Sequence, residues 1–166
     1  MPQKNQSHTI SLLVSNQPGV LLRIALVFSR RAFNIESLVV SPAKDGHFSR
    51  MTITASVDIE TLDQINKQAA KLVDVVSVNE HESLDAVEAE LALIKVALTA
   101  TNKRDLLQLV EHFNAETIDL APKSAIIQLC ASSEKIDGIL SMLEGYKILE
   151  LVRSGKVIMA KGLEKT

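Results

Sequence analysis

Along "HTISLLVS" the residues Ile10, Leu12 and Val14 alternate onto one side, the two-residue period of a strand with one face in a core. The chain then passes through Asn16-Gln17-Pro18-Gly19 and that period disappears. Val20, Leu21, Leu22, Ile24, Ala25, Leu26, Val27 and Phe28 nearly encircle a helical axis, and only Arg23, Arg30 and Arg31 supply charge. The spacing predicts a helix from just after Gly19 to about Arg31. A surface helix ordinarily carries one apolar stripe and one polar face. A helix this apolar has two sides to cover, one against a sheet and the other against a partner.

A second strand, "NIESLVVS", is closed by Pro42, and Asp45-Gly46 supplies a turn. Met51, Ile53, Ala55 and Val57 then alternate with Thr52, Thr54 and Ser56, which predicts a half-buried strand. From Ile59 a helix places Leu62, Ile65, Ala69 and Leu72 inward, with Asp63, Gln64, Lys67, Gln68 and Lys71 outside. "DVVSVNE" makes a fourth strand. "EHESLDAVEAE" carries Glu80, Glu82, Asp85, Glu88 and Glu90 and reads as a solvated connector in preference to an acidic binding tail.

After it the order repeats. "LALIKVALTA" is a strand, "NKRDLLQLVEHF" a helix with Leu106, Leu109, Val110 and Phe113 inward, and "AETIDLA" a strand closed by Pro122. "SAIIQLCA" is a strand, "SEKIDGILSMLE" a helix with Ile136, Ile139, Leu140 and Leu143 inward, and "KILELVRSG" a final strand extended by "KVIMA". The pattern predicts an α+β chain of two tandem ferredoxin-like βαββαβ domains, over residues 7–82 and 89–166. Such a unit folds as a four-stranded antiparallel sheet with both helices on one face, the other face staying open until something covers it. Together with the apolar first helix, this implies a dimer.

Composition narrows the function. A chain of 166 residues holds one ordinary domain or two small ones of about 80 residues, and the repeat selects two. With 46% hydrophobic residues and a net charge of −2, it is neither a disordered tail nor a polybasic nucleic-acid binder. Only 3% of residues are aromatic, and no basic cluster lies along one face, so base stacking and phosphate tracking are both excluded as themes. Cys130 is the sole cysteine, which excludes an internal disulfide framework and fits a reducing compartment; its apolar setting in "AIIQLCA" predicts a buried, inert thiol. No apolar run has the length of a membrane span, and "MPQKNQSHT" lacks the apolar segment of a secretory signal, so a cytoplasmic protein without membrane association is expected.

Catalytic apparatus is missing from the pattern. His8, His47, His81 and His112 fall in a tail, a turn, a linker and a helix, without metal-ligand spacing. There is no Gly-rich phosphate loop, no nucleophile elbow and no pair of carboxylates in apolar settings. No catalytic or metal-binding residue is expected. What remains is the loop Asn16-Gln17-Pro18-Gly19-Val20, where Pro18 fixes φ and Gly19 permits a sharp turn into a helix whose first N–H groups are unpaired. Those groups and the helix dipole suit a carboxylate guest. The same residues also read as a plain turn capped by Asn16, and both readings stand at this point. The matching stretch of the second half, "TATNKRD", has no Pro-Gly, so any such site belongs to the first half.

"NQPGVLLRIALVFSRRAFNIESL" followed by "SRMTI" resembles the ACT domain, an amino-acid-sensing βαββαβ module. "NIESLVV", "SRMTITASVD", "KLVDVVSV" and "LVRSG" more closely resemble the small regulatory subunits of acetolactate synthase, over nearly the whole chain from about His8 to Gly162. The resemblance implies a non-catalytic subunit that forms a homodimer through its ACT domains. It implies binding of a branched-chain amino acid, valine foremost, for feedback inhibition, and activation of a large catalytic subunit in branched-chain amino-acid biosynthesis. Thiamine diphosphate, Mg and FAD would belong to that partner, with no cofactor in this chain. Carried onto these residues, the effector's carboxylate meets the amides of Gly19, Val20 and Leu21 beside Asn16, and Asn34 and Ile35 of a neighbouring chain hold its amino group. Pro18 departs from the residue common in the family and stiffens the loop. Two rivals remain: a free-standing ACT sensor regulating another enzyme or transcription, which lacks the basic helix a DNA-acting version needs, and a small ferredoxin-like enzyme, which lacks an acid-base constellation.

Overall fold

The computed structural model describes residues 6–29, 34–81, 86–163 and 166. The elements follow in chain order as β1 Gln6–Ser15, α1 Val20–Ser29, β2 Ile35–Pro42, β3 Phe48–Val57, α2 Ile59–Ala69 and β4 Val75–His81. Then come β5 Ala86–Ala97, α3 Lys103–His112, β6 Glu116–Leu120, β7 Ser124–Ala131, α4 Ser133–Met142, a 3-10 turn at Leu143–Gly145, β8 Ile148–Arg153 and β9 Val157–Ala160. The expected continuation of the first helix to Arg31, and Phe33, lie outside the described residues.

The chain divides into two compact units, Met1–Glu88 with Gly155–Thr166, and Ala89–Ser154. In the first, an antiparallel sheet of order β2-β3-β1-β4 buries Ile10, Leu12 and Val14 of β1 and Met51, Ile53, Ala55 and Val57 of β3 against α1 and α2. Those helices contribute Val20, Ile24, Val27, Phe28, Leu62, Ile65 and Ala69. Asp58 starts α2 by accepting the N–H of Thr61 at 2.8 Å, a bond that holds its carboxyl below the ordinary carboxylate pKa. The second unit repeats the order as β6-β7-β5-β8, over a core of Ala92, Ile94, Val96, Ala125, Ile127, Leu129, Ile136 and Ile139. Two tandem ferredoxin-like βαββαβ arrangements result.

Several expectations are corrected. Residues 155–166 group with the first unit in the structure. They lie on the face of its sheet away from the helices: Gly155 packs on Ser37 and Val39, and Arg50 donates to the Thr166 carbonyl. Thr9, Ser11, Thr52 and Thr54 are accordingly buried on that face, with Thr9 opposite Thr54 and Ser11 opposite Thr52. The strand expected to be half-buried is therefore covered on both sides.

The acidic run is not a connector throughout. β4 continues to His81 and β5 begins at Ala86, so Glu80, Glu88 and Glu90 are strand residues, while Glu82 and Asp85 lie outside the described residues. Glu90 is buried because Arg153 grips it at 2.9 and 2.7 Å and Ser133 Oγ donates to it at 2.8 Å. That grip raises the Arg153 pKa above its ordinary value. His8 sits within β1, not in a tail, and His81 ends β4, not in a linker. Cys130 is exposed, because the two-residue period of β7 spends its inward positions on Ala125, Ile127 and Leu129.

The "VRSG" stretch thus has a structural task at each polar or small residue. Arg153 pins Glu90 and reaches Asp137 at 2.6 Å, Ser154 exchanges bonds with Leu91 through its N–H and its Oγ, and Gly155 turns the chain at φ +82°.

Candidate functional site

The mouth of α1 is built by two loops tied together. The N–H of Asn16 donates to the His47 carbonyl at 2.9 Å, and the Asn16 side-chain amide donates to the Gly46 carbonyl at 3.0 Å. Asn16 therefore fastens the loop to the β2–β3 turn and does not cap the helix. Gly19 has φ +85°, a left-handed conformation that favours glycine, and it delivers Val20 into the first helical turn.

Few acceptors meet the donors that this turn exposes. The Val20 N–H reaches the Gln17 carbonyl at 3.4 Å and the Arg23 N–H reaches the Gly19 carbonyl at 3.1 Å. Among the described residues the N–H groups of Gly19, Leu21 and Leu22 have no acceptor. No acidic side chain stands in the first turn to offset the helix dipole. Asn16, Gln17, Pro18 and Gly19 are exposed, so these donors face solvent-accessible space.

A cation missed at the level of sequence adds to this. Arg23 lies one turn above Gly19, and helical side chains tilt toward the N-terminus, so its guanidinium folds back over the mouth. A Cβ on Gly19 would stand 3.2 Å from Arg23 Nη1. Asp74, just before β4, holds Arg23 Nε at 2.7 Å and raises its pKa. The spacing Gly19 to Arg23 was a usable signal; the Asp74 partner, 51 residues away, was not.

The loop before α3 in the second unit is tied within itself. There the Asn102 side chain accepts the Thr99 N–H at 2.8 Å and Thr99 Oγ1 accepts the Asn102 N–H at 3.2 Å. Asn102 makes no side-chain bond to the first turn of α3, whose acidic residue is Asp105.

Of the six sequence-predicted site residues, Asn16, Gly19, Val20 and Leu21 are brought together. Asn34 and Ile35 are not. Ile35 pairs with Ala55 and Asn34 precedes it, whereas Asn16 is bound to the turn after the opposite end of β2. An eight-residue strand spans roughly 25 Å, so within one chain the two groups stand at opposite ends of the sheet.

This fold is that of an ACT domain joined to a second ferredoxin-like unit. A family model described as "AHAS small subunit-like ACT domain" matches residues 10–77, and one described as "Small subunit of acetolactate synthase" matches residues 89–162. The chain is 41% identical over 162 residues to the acetolactate synthase small subunit of Mycolicibacterium smegmatis, covering 98% of this chain and 95% of that one. It is 41% identical over 154 residues to the small subunit of Haemophilus influenzae, covering 92% and 94%. The crystal structure of the acetolactate synthase small subunit from Thermotoga maritima superposes with a TM-score of 0.85 at 38% identity, over 95% of this chain and 98% of that one. The chain belongs to the family of acetolactate synthase regulatory small subunits. Membership implies a large catalytic partner.

Proposed function

We propose that the chain binds a branched-chain amino acid, valine foremost, at the junction of two ACT domains, and so imposes feedback inhibition on the large catalytic subunit that it otherwise activates. The observation that carries this reading is the open mouth of α1: among the described residues the donors of Gly19 and Leu21 have no acceptor, beside the Arg23 cation. A carboxylate supplies the acceptors and the charge that this mouth lacks. Thiamine diphosphate, Mg and FAD are assigned to the catalytic partner, and the complex to the cytoplasm.

The second chain enters through β2. It is an edge strand on which Val40 is exposed, and Leu21, Leu22 and Leu26 of α1 are exposed as well. Antiparallel pairing of two β2 strands about a twofold axis would carry Asn34 of one chain toward the loop end of the other. Asn34 and Ile35 then complete the site across the dimer, which accounts for their distance from Gly19 within one chain. The free-standing sensor is disfavoured, since the second unit carries the small-subunit family pattern over residues 89–162.

The test is acetolactate formation by the catalytic subunit mixed with wild-type chain or with Gly19→Asp, with and without valine. Aspartate puts a charge where the effector's carboxylate belongs. Activity that is high and ignores valine supports the site; inhibition equal to the wild type places the effector elsewhere.

A further inference from the structure

The sheet of the second unit ends in two edge strands, β6 and β8, and they are not alike. β6 carries Glu116 and Asp119 and breaks register between Thr117 and Asp119, and charge and bulge are means by which an edge strand resists further pairing. β8 has no such guard. All of its residues are exposed, and Ile148, Leu149, Leu151 and Val152 among them are large and apolar.

The two charges of β8 do not guard the edge. Glu150 is held by Lys95 of β5 at 3.2 Å, and Arg153 is turned to Glu90 and Asp137 of its own unit. The backbone is open as well. The Ser154 N–H donates to the Leu91 carbonyl of β5, so by the alternation of an antiparallel ladder the N–H and C=O groups of Leu149, Leu151 and Arg153 point the other way. On that side the described residues place no further strand. An apolar edge of this kind is a template for one more strand.

The charge pattern of β8 selects the occupant and its register. A second copy brings the same apolar strand, and antiparallel pairing about a twofold axis normal to the sheet sets each residue opposite one on the same face, so the axis passes through a residue position. Centring on Glu150 pairs residues 148–152 but opposes two carboxylates. Centring on Leu151 pairs residues 149–153 and opposes no like charges: leucine meets leucine, Glu150 meets the partner's Val152, and Leu149 meets the stem of the partner's Arg153. Every other centre aligns a shorter stretch. We propose that β8 pairs with β8 of a second copy in the register centred on Leu151, continuing the sheet of the second unit across the twofold axis. This contact is separate from the β2 pairing invoked for the effector site and does not rest on that reading.

The experiment is disulfide trapping in the full chain, with the exposed Cys130 removed as Cys130→Ser. In the proposed register the two Leu151 Cα atoms stand about 5.5 Å apart, within disulfide reach, and the two Leu149 Cα atoms about 14 Å apart, well beyond it. Under mild oxidation Leu151→Cys should therefore form linked dimers about tenfold or more faster than Leu149→Cys, or than Ile118→Cys on the guarded edge. In wild-type chain mixed from ¹³C-labelled and unlabelled copies, an isotope-filtered NOE should join the Leu151 methyls of one chain to the other, a readout that needs no variant. Equal trapping of the three variants, or absence of that NOE, would overturn the proposal. Leu151→Cys that stays unlinked, and loses its reactivity toward iodoacetamide when the catalytic subunit is added, would also overturn it and give the edge to that partner.

Discussion

Gly155 rests on Ser37 so closely that a Cβ on the glycine would fall 2.7 Å from the serine Cβ. Its φ of +82° disfavours any side chain as well. Gly155→Ala combines both penalties, about 1 kcal/mol for the backbone and about 1–3 kcal/mol for the overlap. Gly46 is the control: its φ is +71°, but nothing lies within 4 Å of a Cβ there, so Gly46→Ala bears the first penalty alone. Urea midpoints should rank wild type, Gly46→Ala, Gly155→Ala in falling order. Equal midpoints for the two variants would deny the tight contact.

Arg153 is expected to matter to folding far more than its position on an exposed edge strand suggests. Its side chain is 30% exposed and Glu90 only 5%, so Arg153→Ala strands a buried carboxylate. The cost should be about 3 kcal/mol, the low end for a broken buried pair because Ser133 still donates to Glu90. Lys95→Ala breaks a pair with Glu150 whose side chains are 39% and 62% exposed, and should change stability by less than about 1 kcal/mol. Chemical denaturation of both variants checks the contrast.

Stability should also fall on mild acidification through His81. Burial, with the charge of Arg50, lowers its pKa from 6.5, and Ser11 Oγ lies 2.6 Å from its Nε2. The unfolded chain takes up a proton near 6.5 and the folded chain only at lower pH. The contribution is therefore complete above 6.5, is lost as pH falls toward and through the folded pKa, and levels off below it. His81→Gln should flatten this part of the Tm profile between roughly pH 7 and 5. A profile of unchanged slope would assign the pH dependence to other groups.

Much of the architecture was legible because the inward positions of both halves keep a clean period. Ile10, Leu12 and Val14, or Ile136 and Ile139, belong to the core in the structure as in the pattern. Illegible features depend on partners distant in sequence. Glu90 reads as one more charge in an acidic run until Arg153 is seen beside it, and Thr52 and Thr54 read as solvent-facing until residues from the far C-terminal end lie on that face. Cys130 was misjudged for a local reason: the apolar run hid which parity faces the core. At the candidate site the Pro-Gly turn and its open N–H groups were legible from Pro18 and Gly19, whereas the loop-to-loop use of Asn16 required knowing that Gly46 lies next to it.

The central claim, a site shared between chains, is tested most directly by complementation. Gly19→Asp damages the loop half of the site and Asn34→Ala the strand half, so each homodimer should bind valine poorly. Mixed after dissociation, the two variants form heterodimers in which the intact Gly19 of one chain meets the intact Asn34 of the other, restoring one site of each pair. Random exchange makes about half the dimers mixed, so about a quarter of wild-type valine-binding sites should reappear on calorimetric titration of the mixture. No recovery above either variant alone, with exchange verified by mass spectrometry, would contradict a site built from two chains.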